Sequence, residues 1–417
     1  MIATVLFVTA GLVFSPAQDT LSPAARRVLA DVRFLADDRQ EGRGVATAGL
    51  ERAGAYIRDA FGRAGLRASF QDFTVAPDAP AVLHTGLGGA ASRNVIAVLP
   101  GASPPSHLRG QVVVIGAHYD HLGLGGFGAL DPDSTGRVHN GADDNASGTA
   151  ALLEIARLLA ARHPAPARTV AFVAFSAEEL GTIGSSYFVQ HAVPQPADSI
   201  YAMLNLDMVG RLRNARLAAL GAATAMEFPA LLDSLNTPPR FDLRASGDGW
   251  GPSDHAPFFA ARRPVLHFFT DLHDDYHRST DDWDKINAGG IAQVAEFVAD
   301  LAWALANRPG PLTFVDAPRP QVAAGGSGYG AYLGTVPDMT GSPGGVRITG
   351  VRAGSPAEQA GLKAGDVITA IGAKTVANLM HMTEALRSHQ PGDTVVIVAQ
   401  REGTELRVTA VLGRRGS

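Results

Sequence analysis

The chain contains no cysteine, and this absence removes several kinds of chemistry at once. Disulfide bonds, thiolate metal ligands and lipid attachment at cysteine are excluded, so any metal must be held by nitrogen and oxygen atoms. An excess of basic residues is also missing, because 35 Lys and Arg stand against 40 Asp and Glu, for a net charge of -5. Without a basic field the chain is not expected to bind nucleic acid or an anionic membrane.

An apolar run, MIATVLFVTAGLVFSPAQ, opens the sequence and is too short to span a bilayer comfortably. Ser15 and Ala17 then form a small-x-small pattern of the kind that precedes signal cleavage. We therefore predict a signal peptide over residues 1–17 and an exported protein, periplasmic or secreted, with no stable membrane insertion after cleavage. An uncleaved anchor is the alternative.

Two domains are expected, because 417 residues with 46% hydrophobic content exceed what one core usually supports. Over residues 18–308 the strand-like runs VVVIGA, TVAFVAF, YAMLNLDM and PVLHFF alternate with helix-like stretches such as ASGTAALLEIARLLAAR and GGIAQVAEFVADLAWALAN. This alternation is typical of an α/β fold in which helices flank a doubly wound, mostly parallel sheet.

A Pro- and Gly-rich segment at 309–327 is predicted to be a linker, because it offers no periodic apolar face. Residues 328–417 are predicted to form a smaller α+β domain. Within it Ser355 is placed as the N-cap of a short helix, with Pro356 at the first position and Gly361 beyond the end.

Acidic and histidine residues follow the predicted strands of the first domain, at the edge where open α/β sheets form their binding crevice. Carboxylates that converge there repel one another and stay ionised only if a cation neutralises them. The clusters contain His118 and Asp120, Asp143 and Asp144, Glu178 and Glu179, Asp207, and Tyr276 and His277.

With imidazole and carboxylate donors alone, zinc is the leading metal, and manganese or cobalt remain open. Three protein ligands and a water satisfy one catalytic zinc, so five donors that include a bridging carboxylate favour two ions.

The runs HYDH, GADDNASG, SAEELGTIGS, NLDMVG and YHRSTDD resemble the dinuclear zinc aminopeptidase family, which includes bacterial leucyl aminopeptidases, glutamate carboxypeptidases and glutaminyl cyclases. LADDRQEGRGVATAG and SRNVIAVLPG extend the resemblance over almost the whole first domain, which implies the zinc exopeptidase fold. The resemblance further implies two Zn²⁺ ions per chain. Asp143 would bridge them, His118 and Asp207 would complete one ion, and Glu179 and His277 the other.

Glu178 is then expected to be the general base, because only one of two adjacent Glu side chains readily points at the same ion. Asp120 is expected to hydrogen-bond the imidazole of His118. By resemblance, the hydroxyl of Tyr276 is expected to stabilise the oxyanion. A further run, GPSDHAPF, contains Ser253, Asp254 and His255, and we assign it to the wall of the site rather than to ligation.

In the second domain, GYGAYLGT, SPAEQAGLKAGDVITAIG and the helix from Asn378 resemble a PDZ domain of the bacterial, protease-associated kind. Such a domain adds an extended peptide to a sheet edge and captures its terminal carboxylate with backbone N–H groups. The resemblance places that loop at Tyr332, Leu333 and Gly334, with Gly328 and Gly330 in the approach. A domain that only packs against the first one is the alternative.

The resemblance implies an exported metallo-aminopeptidase that hydrolyses N-terminal peptide bonds. Three alternatives stay open. Arg211 and Arg213 follow the Asp207 strand and would suit a carboxypeptidase if they bind a C-terminal carboxylate. A glutaminyl cyclase would use a single zinc, and an inert peptidase fold would leave peptide binding at the PDZ domain as the function.

Overall fold

The computed structural model describes residues 21–79, 82–102, 108–191, 196–318, 331–338, 344–352, 354–377 and 379–413. The predicted signal peptide, the second part of the predicted linker at 319–327, and Gly328 and Gly330 lie outside these residues. The signal peptide therefore stays a prediction.

The first domain is built on one sheet of eight strands in the order β1-β2-β4-β3-β5-β8-β6-β7. The pairs within β4-β3-β5-β8 and the pair β6-β7 are parallel, and the remaining pairs are antiparallel. The strands are β1 Arg67–Thr74, β2 Ala91–Leu99, β3 Val112–His118, β4 Thr169–Phe175, β5 Ile200–Leu206, β6 Arg216–Leu220, β7 Asp242–Ser246 and β8 Val265–Phe269. The predicted α/β class is confirmed.

Helices cover both faces of this sheet, which explains why its central strands are continuously apolar. On β3, Val113 and Ile115 join the core cluster that contains the helix at 288–307, whereas Val112 and Val114 join the opposite cluster with Phe188. The helices are α1 Pro23–Leu35, α2 Ala48–Arg63, α3 Gly148–Ala160, α4 Ile183–Gln190, α5 Phe228–Leu235, α6 His255–Ala260 and α7 Ala288–Asn307.

Helix α7 is long and apolar enough to cross a membrane, but two thirds of its most apolar window is buried inside the fold. Ile291, Val294 and Leu301 are fully buried in the main core. The helix is therefore a core element, and its hydropathy reflects packing rather than insertion into lipid.

The chain that follows α7 packs back on the first domain before the undescribed stretch begins. Phe314 forms a bridge with Ala225, and the indole of Trp250 donates to the carbonyl of Ala317 at 3.1 Å. The first part of the predicted linker, as far as residue 318, is thus an ordered strap on the sheet domain.

The second domain has its own sheet, in the order β14-β13-β11-β10-β9 with β12 beside β11. The helix predicted at Ser355 is present, and the Ser355 hydroxyl accepts from the N–H of Glu358 at 3.2 Å. The elements are β9 Thr335–Pro337, β10 Val346–Val351, α8 Pro356–Gln359, β11 Val367–Ile371, β12 Lys374–Thr375, α9 Leu379–Arg387, β13 Thr394–Arg401 and β14 Thr404–Val411.

Candidate metal centre

The predicted site residues meet at the carboxyl ends of the central strands. His118 is the last residue of β3, Asp207 follows β5 directly, and Glu179 lies four residues beyond β4. His277 lies on the loop after β8, and the turn at 142–147 leads into α3. Parallel strands end at one edge of a sheet, so the topology alone brings these side chains together.

Asp144 occupies the centre of the group. Its Oδ1 lies 3.2 Å from Nε2 of His118, and its Oδ2 lies 3.1 Å from Nε2 of His277. Oδ1 of Asp207 lies 3.4 Å from Nε2 of His118, and Oε2 of Glu179 lies 3.2 Å from Nε2 of His277. One carboxylate therefore stands between two His–carboxylate pairs.

The structure corrects the prediction for Asp143. Its Oδ1 accepts from the N–H of Gly210 at 2.6 Å and from the hydroxyl of Ser147 at 2.9 Å, and its Oδ2 faces Nε2 of His273 at 3.0 Å. All these contacts point away from the two histidines. The turn at 142–147 directs two adjacent carboxylates to opposite sides, so Asp144 replaces Asp143 in the candidate ligand set.

The arrangement fits a metal. One donor atom each from His118, Asp144 and Glu179 lie within 4.8 Å of one another. Oδ1 of Asp207 is buried, and it makes no hydrogen bond within the described part of the chain. A buried carboxylate oxygen without a partner is costly, and a cation bound between these side chains removes that cost.

Asp120 contacts the imidazole of His118 through its backbone. Its carbonyl accepts from Nδ1 of His118 at 3.2 Å, while Nε2 of that ring faces Asp144 and Asp207. The carboxylate instead accepts from the N–H groups of Glu178 and Glu179 at 3.1 and 3.3 Å. Asp120 therefore fixes both the tautomer of one candidate ligand and the backbone that carries the two glutamates.

Glu178 lies beside the candidate ligands. Its Oε2 lies 4.0 Å from Nε2 of His118. Burial raises the pKa of Glu178 well above its usual value, and the charges of Asp254, Glu179 and Asp207 raise it further. A carboxylate whose pKa is raised accepts a proton more readily than a free one.

Tyr276 lies over the site. Its ring stacks on His277 with the centroids 3.9 Å apart and the planes inclined by 27°. Burial raises the pKa of Tyr276 well above 10, and the neighbouring carboxylates act in the same direction. The hydroxyl therefore stays protonated and is available as a hydrogen-bond donor.

The run GPSDHAPF lines the site, as expected. Ser253 donates to Oδ2 of Asp207 at 2.8 Å and accepts from the side-chain amide of Asn205 at 2.9 Å. His255 is buried and stacks on His267 at 4.5 Å. Burial also raises the pKa of Asp254 to about 7.

Two supporting residues were missed from the sequence. Nδ1 of His121 lies 2.8 Å from Oε1 of Glu179 and orients that carboxylate. Asp281 accepts from the N–H groups of Asp143 and Asp144 at 2.8 and 3.1 Å. The motif HYDH contains the second histidine, so a signal was present, whereas nothing local distinguishes Asp281 from the other acids of RSTDDWD.

Arg43 holds the surrounding loops. The side chain is fully buried and donates to four carbonyl oxygens at 2.6 to 2.9 Å. Two of these acceptors, on Asn140 and Gly141, precede Asp144, and a third, on Tyr119, follows His118. Burial lowers the pKa of Arg43 to about 10, so the side chain remains charged at neutral pH.

Replacing Arg43 by Met is expected to lower the free energy of unfolding by about 3 kcal/mol or more, because four buried carbonyls lose their donor. Arg39→Met is the control, because that side chain is 81% exposed and forms an exposed ion pair with Asp37. It should leave the free energy of unfolding close to that of the wild type. Urea unfolding of the three proteins measures both values, and equal costs would contradict the assigned role.

The predicted carboxylate loop of the second domain has free backbone donors. The carbonyls of Leu333 and Gly334 accept from Ala357 and Arg352 at 2.8 Å. The N–H groups of the same two residues make no hydrogen bond to any residue that the structure describes. Gly334 has φ +84°, and a β-carbon there would meet Cβ of Ser355 at 2.2 Å, so the turn requires glycine.

Comparison with known proteins agrees with this geometry. Residues 94–302 match the model of peptidase family M28, and residues 331–412 match that of the PDZ domain. The chain belongs to peptidase family M28 and carries a PDZ domain. Leupeptin-inactivating enzyme 1 of Streptomyces exfoliatus is 27% identical over 66% of this chain, which spans 60% of that protein's length.

Solved structures share the fold of the first domain. A zinc aminopeptidase from Bacillus subtilis superposes with a TM-score of 0.56 at 17% identity, over 69% of this chain and 96% of the other. Glutaminyl cyclase from Porphyromonas gingivalis superposes with a TM-score of 0.55 at 19% identity, over 66% of this chain and 96% of the other. At these identities the likeness is one of fold alone.

Proposed function

We propose that this protein is an aminopeptidase that hydrolyses N-terminal peptide bonds at a two-zinc site. The observation that carries the proposal is the position of Asp144 between two His–carboxylate pairs. His118 and Asp207 would hold one ion, Glu179 and His277 the other, and Asp144 both. Membership of peptidase family M28 supports peptide hydrolysis as the reaction.

Zinc in such a site polarises a carbonyl group and makes a water molecule more acidic. Glu178 would take a proton from the attacking water and pass it to the leaving amine, because it lies beside the ligands without joining them. Tyr276 would donate a hydrogen bond to the carbonyl oxygen as negative charge develops there. Asp120 and His121 would keep both glutamates oriented.

The hydrogen bonds of Arg211 and Arg213 support cleavage at the amino end of the substrate rather than at its carboxyl end. The guanidinium of Arg211 lies 2.9 Å from Asp281 and 3.3 Å from Asp275. That of Arg213 donates to the carbonyl of Leu272 at 3.0 Å. Both groups hold loops of the protein, which disfavours their use as the carboxylate anchor of a carboxypeptidase.

Activity on amino-acyl anilides, compared with activity on N-blocked peptides, tests the proposal. We expect turnover of the anilides, its loss on chelation and its return with zinc. Hydrolysis of blocked peptides alone would favour the carboxypeptidase alternative. Cyclisation of N-terminal Gln by a protein with one zinc per chain would favour a glutaminyl cyclase, whose fold is shared.

For the second domain we propose capture of a peptide C-terminus at the loop formed by Tyr332, Leu333 and Gly334. The N–H groups of Leu333 and Gly334 make no hydrogen bond to a described residue, which supports the proposal, whereas the N–H of Tyr332 donates to the carbonyl of Gly413 at 2.8 Å. A peptide with a free carboxylate should bind at least about 10-fold more tightly than the same peptide with a C-terminal amide, because the amide lacks the charge that these donors stabilise. Calorimetric titration of both peptides measures the ratio. Equal affinities would indicate a domain that does not read the carboxylate.

We also propose that the protein is exported and that cleavage follows Ala17. N-terminal sequencing of protein recovered from the periplasm or the culture fluid should then begin at Gln18. A product that retains residues 1–17 would favour the uncleaved anchor.

A further inference from the structure

His277 is an unusual candidate ligand, because it belongs to no helix or strand and its backbone adopts a rare conformation. It lies eight residues beyond the end of β8, on a loop. Its φ of +56° falls in the left-handed region that residues with a β-carbon seldom adopt. A side chain held in such a conformation depends on its surroundings to stay there.

Those surroundings are a distant stretch of chain, residues 128–131. Nδ1 of His277 donates to the carbonyl of Gly128 at 2.9 Å, and the N–H of Leu130 donates to the carbonyl of His277 at 2.8 Å. The first bond fixes the tautomer, so that the Nε2 lone pair faces Asp144 and Glu179. The second bond holds the strained backbone itself.

Asp131 fastens this stretch to the loop of His277. Its Oδ2 accepts from the N–H and the hydroxyl of Ser279 at 2.9 and 2.8 Å, two residues beyond the histidine. Its Oδ1 faces Nε2 of the buried His139 at 2.9 Å, while Nδ1 of that ring faces the carbonyl of Arg137 at 3.1 Å. The Asp131 carboxylate therefore connects His139 and residues 128–131 with Ser279, on the loop that carries His277.

Among the described residues, a different part of the chain supports the other half of the metal centre. His118 is oriented by the carbonyl of Asp120. Asp207 is held by the hydroxyl of Ser253. A disturbance at Asp131 should therefore reach one ion and not the other.

We propose that Asp131 is a positioning residue that sets the affinity of the ion site formed by His277 and Glu179 without touching an ion itself. The inference rests on the proposed two-ion function. An asparagine at this position keeps the shape but offers one acceptor oxygen, and its NH₂ group would then oppose the donors of Ser279 or His139. Loss of a hydrogen-bond partner of a metal ligand typically weakens metal binding about 10- to 100-fold. Asp131 acts on His277 through Ser279 and through residues 128–131 rather than by a direct hydrogen bond.

The experiment is an equilibrium zinc titration of the metal-free, full-length protein against a chelator of known affinity. Asp131→Asn should weaken one of two binding steps about 10- to 100-fold and leave the other unchanged. Asp133→Asn is the matched control, because it removes the same charge from an exposed position two residues away. That variant should titrate like the wild type.

The variants His277→Asn and Asp207→Asn show which binding step belongs to which ion site, because each removes a candidate ligand from one site only. In the His277→Asn background, Asp131→Asn should have no further effect on the remaining step, and excess zinc should restore the activity of the single variant Asp131→Asn. Equal weakening of both steps, or a titration like that of the control, would overturn the proposal. A wild-type protein that binds a single ion would overturn the two-ion function on which it rests.

Discussion

Replacing Glu178 by Gln is expected to lower kcat by about 10²- to 10⁴-fold while the zinc content stays that of the wild type. The amide keeps the size and the hydrogen-bonding reach of the carboxylate but cannot take a proton from the attacking water. The side chain approaches the ligand His118 no closer than 4.0 Å, so its replacement should leave the metal in place. Initial rates and elemental analysis of the same preparations measure both effects.

Glu179→Gln is the matched control, because the two glutamates are neighbours in the chain and share the support of Asp120. This variant should lose zinc as well as activity, since its carboxylate lies 3.2 Å from Nε2 of His277. Equal loss of zinc in the two variants would mean that Glu178 is a ligand, and the assignment of the base would then be wrong.

Replacing Asp144 by Asn is expected to abolish binding of two zinc ions, because one carboxylate lies between both histidines. Asp143→Asn removes the same charge from the adjacent position. Because that side chain acts through Gly210, Ser147 and His273, it should weaken zinc binding only about 10- to 100-fold. Zinc titrations of the two variants compare the positions directly.

A larger loss of zinc in Asp143→Asn than in Asp144→Asn would restore the arrangement implied by resemblance. Thermal unfolding in the presence of chelator provides the check that neither substitution acts by unfolding the chain. Both variants should remain folded without metal, because asparagine keeps the size and shape of the aspartate side chain.

The fold was predictable because its central strands are buried on both faces. Runs such as VVVIGA and TVAFVAF are continuously apolar, and stretches with helical periodicity lie between them. This combination is typical of strands that helices cover on both faces of a sheet. The packed strap at 311–318 was not predictable, because Pro and small residues suit a linker equally well. Its order arises from partners distant in sequence, such as Trp250 and Glu227.

The site was predictable in outline, because each ligand candidate follows a strand at one edge of the sheet. The choice between Asp143 and Asp144 was not, because it depends on how the turn before α3 directs each side chain. The sequence predicted the contact between Asp120 and His118 but did not indicate which atom of Asp120 makes it, and in the structure this atom is the backbone carbonyl oxygen. Asp131 and Asp281 act across more than 130 residues of sequence, a separation at which a single sequence carries no signal.

The most direct test of the account is a crystal structure of the zinc-loaded protein with anomalous scattering measured at the zinc edge. We expect two peaks several ångströms apart, with one oxygen of Asp144 on each, His118 and Asp207 at the first, and Glu179 and His277 at the second. A single peak, or a bridge formed by Asp143, would contradict the central claim.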